Sequence, residues 1–511
     1  MQYRWLSTLG LGIFAMTSVA CGDGGTGTGT SSSSSSGAGG AGGEGGGSSS
    51  SSSSSSGSMG SGFNTLWIPP TLEGTQFNLK LSKSTKALRD GTPTATMGYN
   101  DAEFWGPTLI MKKGDVVQMN VTNDIGEDTT THWHGFHIPA ITDGGPHQII
   151  SAGTTWTPSF EVKNQAATYW YHPHLHHTTQ AQLTYGAGGL IIVQDAQEAA
   201  LALPRTYGVD DMPLVLTSRK FSTTNQFNLM DAYGDYMLVN GTMSPEVDLP
   251  AQFVRLRILN AENERSYNLG FSDNREFYVI ASDGGLLNAP VAVTRLVMYV
   301  GERYEILVDL SKDGVGSALD LKAYNDGQAF GFPGCEPNTT GMFGSQLNNK
   351  TFDVLHLNVI AATANAITSV PQQLASNVYW TDADVTSSRA LSITDMGPGT
   401  PFTFDGAAYN MDVINQNVAL DATEKWTVNN GMTFNHSFHI HDVQFKIVAR
   451  TGGAVAAYEG GWKDTLFVPR NGSVSFIAKF DDFASATDPY MYHCHMTNHE
   501  DGGLMGQFLV Q

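Results

Sequence analysis

Three histidines and a cysteine fall within the seven positions that follow Tyr492: His493-Cys494-His495-Met496-Thr497-Asn498-His499. In an extended strand successive side chains point to opposite faces. His493 and His495 therefore face one way and Cys494 the other, so one strand can serve two metal sites a few covalent bonds apart. Thiolate with imidazole selects copper or zinc by ligand softness, and one cysteine with two histidines suits a blue-copper electron-transfer site. Standing alone, the stretch is equally open to a zinc site or a chance cluster.

It does not stand alone. His132/His134, His172/His174 and His439/His441 repeat the His-x-His spacing. Chance placement of 15 histidines in 511 positions gives roughly half such a pair. Eight imidazoles exceed what one tetrahedral zinc takes and suit a cluster of three metals. His436, Cys494 and His499 are left as a trigonal set.

At His132-Trp133-His134-Gly135, His172-Pro173-His174, His436-Ser437-Phe438-His439-Ile440-His441 and His493-Cys494-His495 the chain resembles the multicopper oxidases, the family of laccases, bilirubin oxidases and cuprous oxidases. The resemblance runs from about Phe63 to Gln511. It implies four copper ions: a type 1 copper on His436, Cys494 and His499, a type 2 copper on His132 and His439, and a type 3 pair on His134, His172, His174, His441, His493 and His495. It further implies dioxygen as electron acceptor, with Asp143 and Glu500 at positions where similar enzymes keep carboxylates as proton relays. Asp143-Gly144 is also ordinary turn chemistry, and Glu500 equally fits a hydrogen-bonding partner of a ligand histidine. The family's axial position, ten residues after the cysteine, falls on Leu504, which has no donor atom; Met505 follows it.

The strands that must carry these residues recur. Val116 to Asn123, Phe253 to Asn260 and Glu424 to Asn430 each alternate and end in asparagine, reading as equivalent half-buried strands in three units. Tyr169 to His174 parallels Tyr490 to His495, and a Gly-Gly-Leu segment enters an apolar strand after each. Pro173 stands where the later unit has Cys494, so the first unit can hold only the cluster side. Short strands with Gly, Asn and Asp turns indicate all-β Greek-key sandwiches, which the resemblance sharpens to three cupredoxin domains at 63–200, 204–362 and 371–511. The middle one lacks a His-x-His pair and is expected to space the outer two, with His356 structural. His137, His147, His176 and His177 are expected at the surface or behind the ligands.

Arg4 and about fifteen apolar residues read as an export signal, too short to span a bilayer. Ser18-Val19-Ala20-Cys21 looks like a bacterial lipoprotein site, making 1–21 a signal with lipidation at Cys21. The Gly/Ser stretch 22–62 cannot form a core and reads as a flexible tether spanning roughly 35 Å. The expected location is the cell envelope, with the membrane reached only through that lipid. Cys335 has no evident partner, so a disulfide framework is not expected.

Of the formal charge of −21, residues 1–62 carry −1 (Arg4 against Asp23 and Glu44), leaving −20 on the remainder. That field disfavours nucleic acid and anionic polymers. The reading favours a laccase-like oxidase of phenols or aromatic amines. A cuprous-ion oxidase is the alternative, though the 18 methionines are dispersed and Met432-Thr433-Phe434-Asn435 holds no carboxylate before His436. A scaffold lipoprotein without turnover is the third reading; scaffold relatives lose ligands and this chain keeps them all.

Overall fold

The computed structural model describes residues 62–395 and 402–511, so the leader, Cys21 and nearly all of the Gly/Ser stretch lie outside the described residues. Alternating apolar residues build six sheets among the described residues, and each of three large apolar cores is filled from two of them. The all-β sandwich class expected from the sequence is the one adopted. No helix of the described residues is long and apolar enough to cross a membrane.

In the first sandwich β1 (His132–His134) is the edge of a five-stranded sheet, paired antiparallel with β2 (Ala167–His172), which pairs with β3 (Gly189–Gln194). The last sandwich repeats this arrangement. There β4 (His436–Ile440) lies between β5 (Thr465–Val468) and β6 (Tyr490–Cys494), and β6 pairs with β7 (Met505–Val510). Register decides which side chains meet: His172 lies opposite His132, and His493 opposite His439. Helix α1 (Thr179–Tyr185) follows the second histidine motif, and α2 (Thr497–Asp501) carries His499.

Val116–Asp124 buries Val117, Met119, Val121 and Asn123 and shows the expected alternation, as does Ala422–Asn430 along most of its length. Phe253–Asn260 departs from the half-buried expectation, since every residue in it is buried. Its polar face is covered because Arg255 and Arg257 are paired with Glu198, Asp211 and Glu305, and Arg257 also reaches Thr168 of β2. Charge pairing makes an alternating strand burial-competent on both faces. Asn64–Thr65, ahead of the first sandwich in sequence, pairs in parallel with Pro245–Glu246 of the middle one, and Leu66 lies in that core.

Candidate metal centre

Each His-x-His pair aims both rings inward, and the four pairs converge at one place between the first and last sandwiches. Two triads of ring nitrogens form there. In the first, Nδ1 of His134 lies 3.4 Å from His172 Nε2 and 3.3 Å from His495 Nε2. In the second, the Nε2 atoms of His174, His441 and His493 are 3.0, 3.2 and 3.4 Å apart. Three nitrogens bound at about 2.0 Å to one ion in a plane sit about 3.5 Å apart, so each triad has the spacing of a three-histidine metal site. His493 and His495, the neighbours of Cys494, belong to different triads.

His132 and His439 complete the cluster. His132 Nδ1 donates to the Asp143 carbonyl at 2.9 Å and His439 Nδ1 to the Asp464 carbonyl at 2.8 Å. That fixes the tautomer and leaves both Nε2 atoms as bare acceptors, buried and without a partner. Burial holds the pKa of His134, His172, His439, His441 and His495 far below the usual imidazole range, and lowers His174 and His493 to about 3. The rings are neutral, the state that binds a cation.

The thiolate site lies on the other side of β6. Cys494 Sγ is 3.5 Å from His436 Nδ1 and 3.5 Å from His499 Nδ1, with all three residues buried. Burial pushes the Cys494 thiol well above its ordinary pKa and lowers His499 to about 3. A thiolate in that setting needs a bound cation to exist, so the donor set fits a soft metal ion. Leu504 is buried in the core that includes Cys494, and its carbonyl accepts the Cys494 N–H at 3.0 Å. Met505 packs elsewhere, against Tyr409 and Met491. An axial thioether donates electron density that favours the oxidised metal. Leu504→Met is therefore expected to lower the potential of the thiolate site by on the order of 60 mV, a tenfold change in a one-electron equilibrium. Met505→Leu should leave it nearly unchanged. Redox titration of the thiolate band checks this, and the reverse pattern would show Met505 to be the axial residue.

Two carboxylates named from the sequence back the cluster. Asp143 is buried, and its Oδ2 accepts from His441 Nδ1 at 2.7 Å. Glu500 is fully buried, with Oε1 3.4 Å from His174 Nδ1 and Oε2 3.3 Å from His493 Nδ1; burial raises its pKa.

A third carboxylate escaped sequence reasoning. Asp464 Oδ1 is 3.2 Å from His134 Nε2, the reason this ring alone in the two triads offers Nδ1 to the cluster. Arg303, from the middle sandwich, clamps Asp464 with Nη1 and Nη2 each at 2.6 Å. Next to it, buried Lys463 is held by Glu302 at 2.7 Å and Asp283 at 3.0 Å. The middle sandwich thus braces the carboxylate behind His134. Gly301, at φ +85°, lies so close to His495 that a Cβ would meet the ring at 2.9 Å.

The remaining histidines stay out of the cluster. His137 is held by Asp442 at 2.8 Å; burial lowers its pKa, but the charge of Asp442 and the hydrogen bonds to it, with Asp481, together raise it to about 9. His147 Nε2 meets Gln507 Oε1 at 2.8 Å, and His177 Nδ1 donates to the Asp501 carbonyl at 3.0 Å. His176 stacks on His177 at 3.6 Å, and half-buried His356 pairs with Asp320 at 2.7 Å. Cys335 is a buried free thiol against Tyr299 and Phe332.

Family models described as multicopper oxidase match residues 80–198, 215–317 and 382–511. A multicopper oxidase of Staphylococcus aureus is 30% identical over 467 residues, covering 88% of this chain and 93% of that protein. The cell division protein FtsP of Sodalis glossinidius is 33% identical over 454 residues, 87% of this chain and 92% of its own. Among solved structures, the laccase-like CueO of the lignin-degrading bacterium Ochrobactrum sp. superposes with a TM-score of 0.78 at 34% identity, over 87% of this chain and all of that one (100%). McoA of Aquifex aeolicus gives 0.79 at 28% identity, over 88% and 99%.

Proposed function

The chain belongs to the multicopper oxidase family, a copper-dependent oxidoreductase using dioxygen, and we propose that it acts as a laccase-like oxidase of phenols or aromatic amines. The observation that supports this most is the placement of Cys494 in a buried Cys-His-His set while its two chain neighbours enter separate histidine triads. In this reading His436, Cys494 and His499 hold a type 1 copper, His132 and His439 a type 2 copper, and the two triads a type 3 pair. Bound copper supplies one-electron chemistry: four electrons, taken singly from the donor, reduce one dioxygen with four protons to two waters.

The chain's own residues do the rest. β6 links the two centres through the backbone from Cys494 to His493 and His495. Asp143 and Glu500 keep the rings of His441, His174 and His493 oriented and stand where a relay could pass protons to the cluster. Asp143→Asn and Glu500→Gln are expected to slow reoxidation of the fully reduced enzyme by about 10- to 100-fold, with the blue band retained because neither is a ligand. Reoxidation at the wild-type rate in both would remove the relay role. Three separate cores support a division into three sandwiches, with Leu66 and with Leu374 and Ala375 packed in the middle core rather than in the units to which 63–200 and 371–511 assign them.

One observation favours an aromatic donor over cuprous ion. Phe402 and Phe434 cover the imidazoles of the thiolate site, Phe402 4.5 Å from His499 and Phe434 4.8 Å from His436. Aromatic faces there suit a flat organic donor, whereas a cuprous ion is held by soft thiolate or thioether sulfur. Complete ligand sets argue against a scaffold without turnover. Oxygen uptake measured side by side with a phenol and with cuprous ion tests the reading: phenol-driven uptake supports it, and uptake with cuprous ion alone overturns it. Run on detergent and aqueous phases, the same assay tests the accompanying proposal that Cys21 carries a lipid, which predicts activity in the detergent phase.

A further inference from the structure

Every centre of the proposed cluster is assembled across one seam. His132, His134, His172 and His174 come from the first sandwich, and His439, His441, His493 and His495 from the last, and each triad draws on both. The thiolate set does not, since His436, Cys494 and His499 all belong to the last sandwich. Contacts that fix these two sandwiches against each other beside the cluster therefore fix its metal-binding geometry and leave the thiolate site alone.

Two side chains that the mechanism above leaves unused meet at that seam. His137 follows β1, three residues after His134, and Asp442 follows His441 just beyond β4. Asp442 stands at φ +73°, and the Val443 N–H donates back to the His441 carbonyl at 2.9 Å. This is a γ-turn of the rare, strained kind. The Asp442 carboxylate is buried, and among the described residues one cation lies within ion-pair range of it: His137, with Nδ1 2.8 Å from Oδ1. The same Nδ1 lies 3.1 Å from the Asp442 carbonyl. Neighbouring contacts hold the exit of β1 in place. The His137 N–H donates to Asn164 Oδ1 at 3.0 Å, and the Gly135 carbonyl accepts from Asn164 at 2.8 Å and from Gln444 at 2.6 Å. Gln444 lies two residues beyond Asp442, so the end of β4 holds the end of β1 at two points.

A strained turn persists only where its surroundings over-determine it, and a buried carboxylate without a partner is costly. His137 answers both. We propose that His137 and Asp442 form a charged clasp, a pair of positioning residues that holds the first and last sandwiches in register so that the cluster retains its copper. The clasp rests on the ligand sets given above and is independent of which donor the enzyme oxidises. Its charge depends on pH. Nε2 of His137 faces Asp482 at 3.5 Å and Asp481 at 3.9 Å, while Lys163 pairs with Asp482 at 2.6 Å and Lys479 lies 3.8 Å from Asp481. Tyr490, donating to the Ile138 carbonyl at 2.7 Å, stays neutral because burial raises its pKa. With its pKa raised to about 9 in the folded protein, His137 contributes its charge in full below the ordinary imidazole value of about 6.5. The contribution is lost as the pH rises through about 9.

The test is dialysis of the copper-loaded full chain against EDTA. Cluster copper is read from metal content and the type 2 paramagnetic resonance signal, with the blue band as internal reference. At about pH 7, His137→Gln and Asp442→Gly should each lose cluster copper about tenfold faster than wild type, with the blue band kept. Glycine suits φ +73°, so the deficit in Asp442→Gly comes from the missing carboxylate and not from the turn. Raising the pH to about 10 should close the gap between wild type and His137→Gln, and His137→Lys should hold its copper better than wild type there. A contact that acts by shape alone gives a deficit independent of pH. Wild-type retention in both variants at about pH 7, a His137→Gln deficit as large at about pH 10, or loss of the blue band in step with cluster copper overturns the clasp. Wild-type protein that holds the blue copper alone overturns the ligand sets, and the clasp with them.

Discussion

Cys494→Ser abolishes the blue thiolate-to-copper band and lowers oxygen uptake at least about 1,000-fold, equivalent to about 4 kcal/mol at the transition state. The serine hydroxyl is a hard, neutral donor, and among the described residues the one other thiol, Cys335, packs against Tyr299 and Phe332 in a separate small cluster. The cluster histidines lie on the opposite face of β6 and its neighbours, so copper there is retained. Absorbance, metal content and oxygen uptake on one preparation separate these effects. A variant that keeps its blue band would place the thiolate site elsewhere.

Asp464→Ala strikes the other centre. It removes the acceptor of His134 Nε2, letting the ring turn its Nδ1 away from His172 and His495. It also strands Arg303, which is buried and whose remaining carboxylate, Asp283, lies 3.7 Å away. Removing one member of a buried pair costs about 3–5 kcal/mol, and losing the partner of a metal-bound histidine costs about 10- to 100-fold in metal affinity. The expected result is a lower melting temperature and loss of copper from the His134 triad with the blue band intact. The Asp464 carbonyl still anchors His439, so His132 and His439 keep their shared ion. Thermal melting and copper titration check this; full copper content at wild-type affinity would show Arg303–Asp464 to be a structural pair alone.

The contrast between these two substitutions shows what sequence could reveal. Cys494 and the eight paired histidines stood out because alternation puts His493 and His495 on one face and Cys494 on the other, and His436 and His499 were the set left beside Cys494. Leu504 came from the resemblance, which places the axial position ten residues after the cysteine. Asp143 and Glu500 came only from resemblance, and the structure puts both beside ligand rings. Asp464 belongs to none of the motifs and carried no role in the sequence reading. Its clamp comes from Arg303, 161 positions earlier, and such partners are joined by tertiary packing alone. The burial of both faces of Phe253–Asn260 was hidden for the same reason, since its arginines find carboxylates on other strands.

The eleven proposed ligands imply one thiolate-bound copper and a cluster of three. Metal analysis of the copper-loaded, oxidised wild type, read together with its visible spectrum, tests this most directly. Four coppers per chain and an intense blue band are the expected result; a protein that binds a single metal ion, or stays colourless when fully loaded, would contradict it.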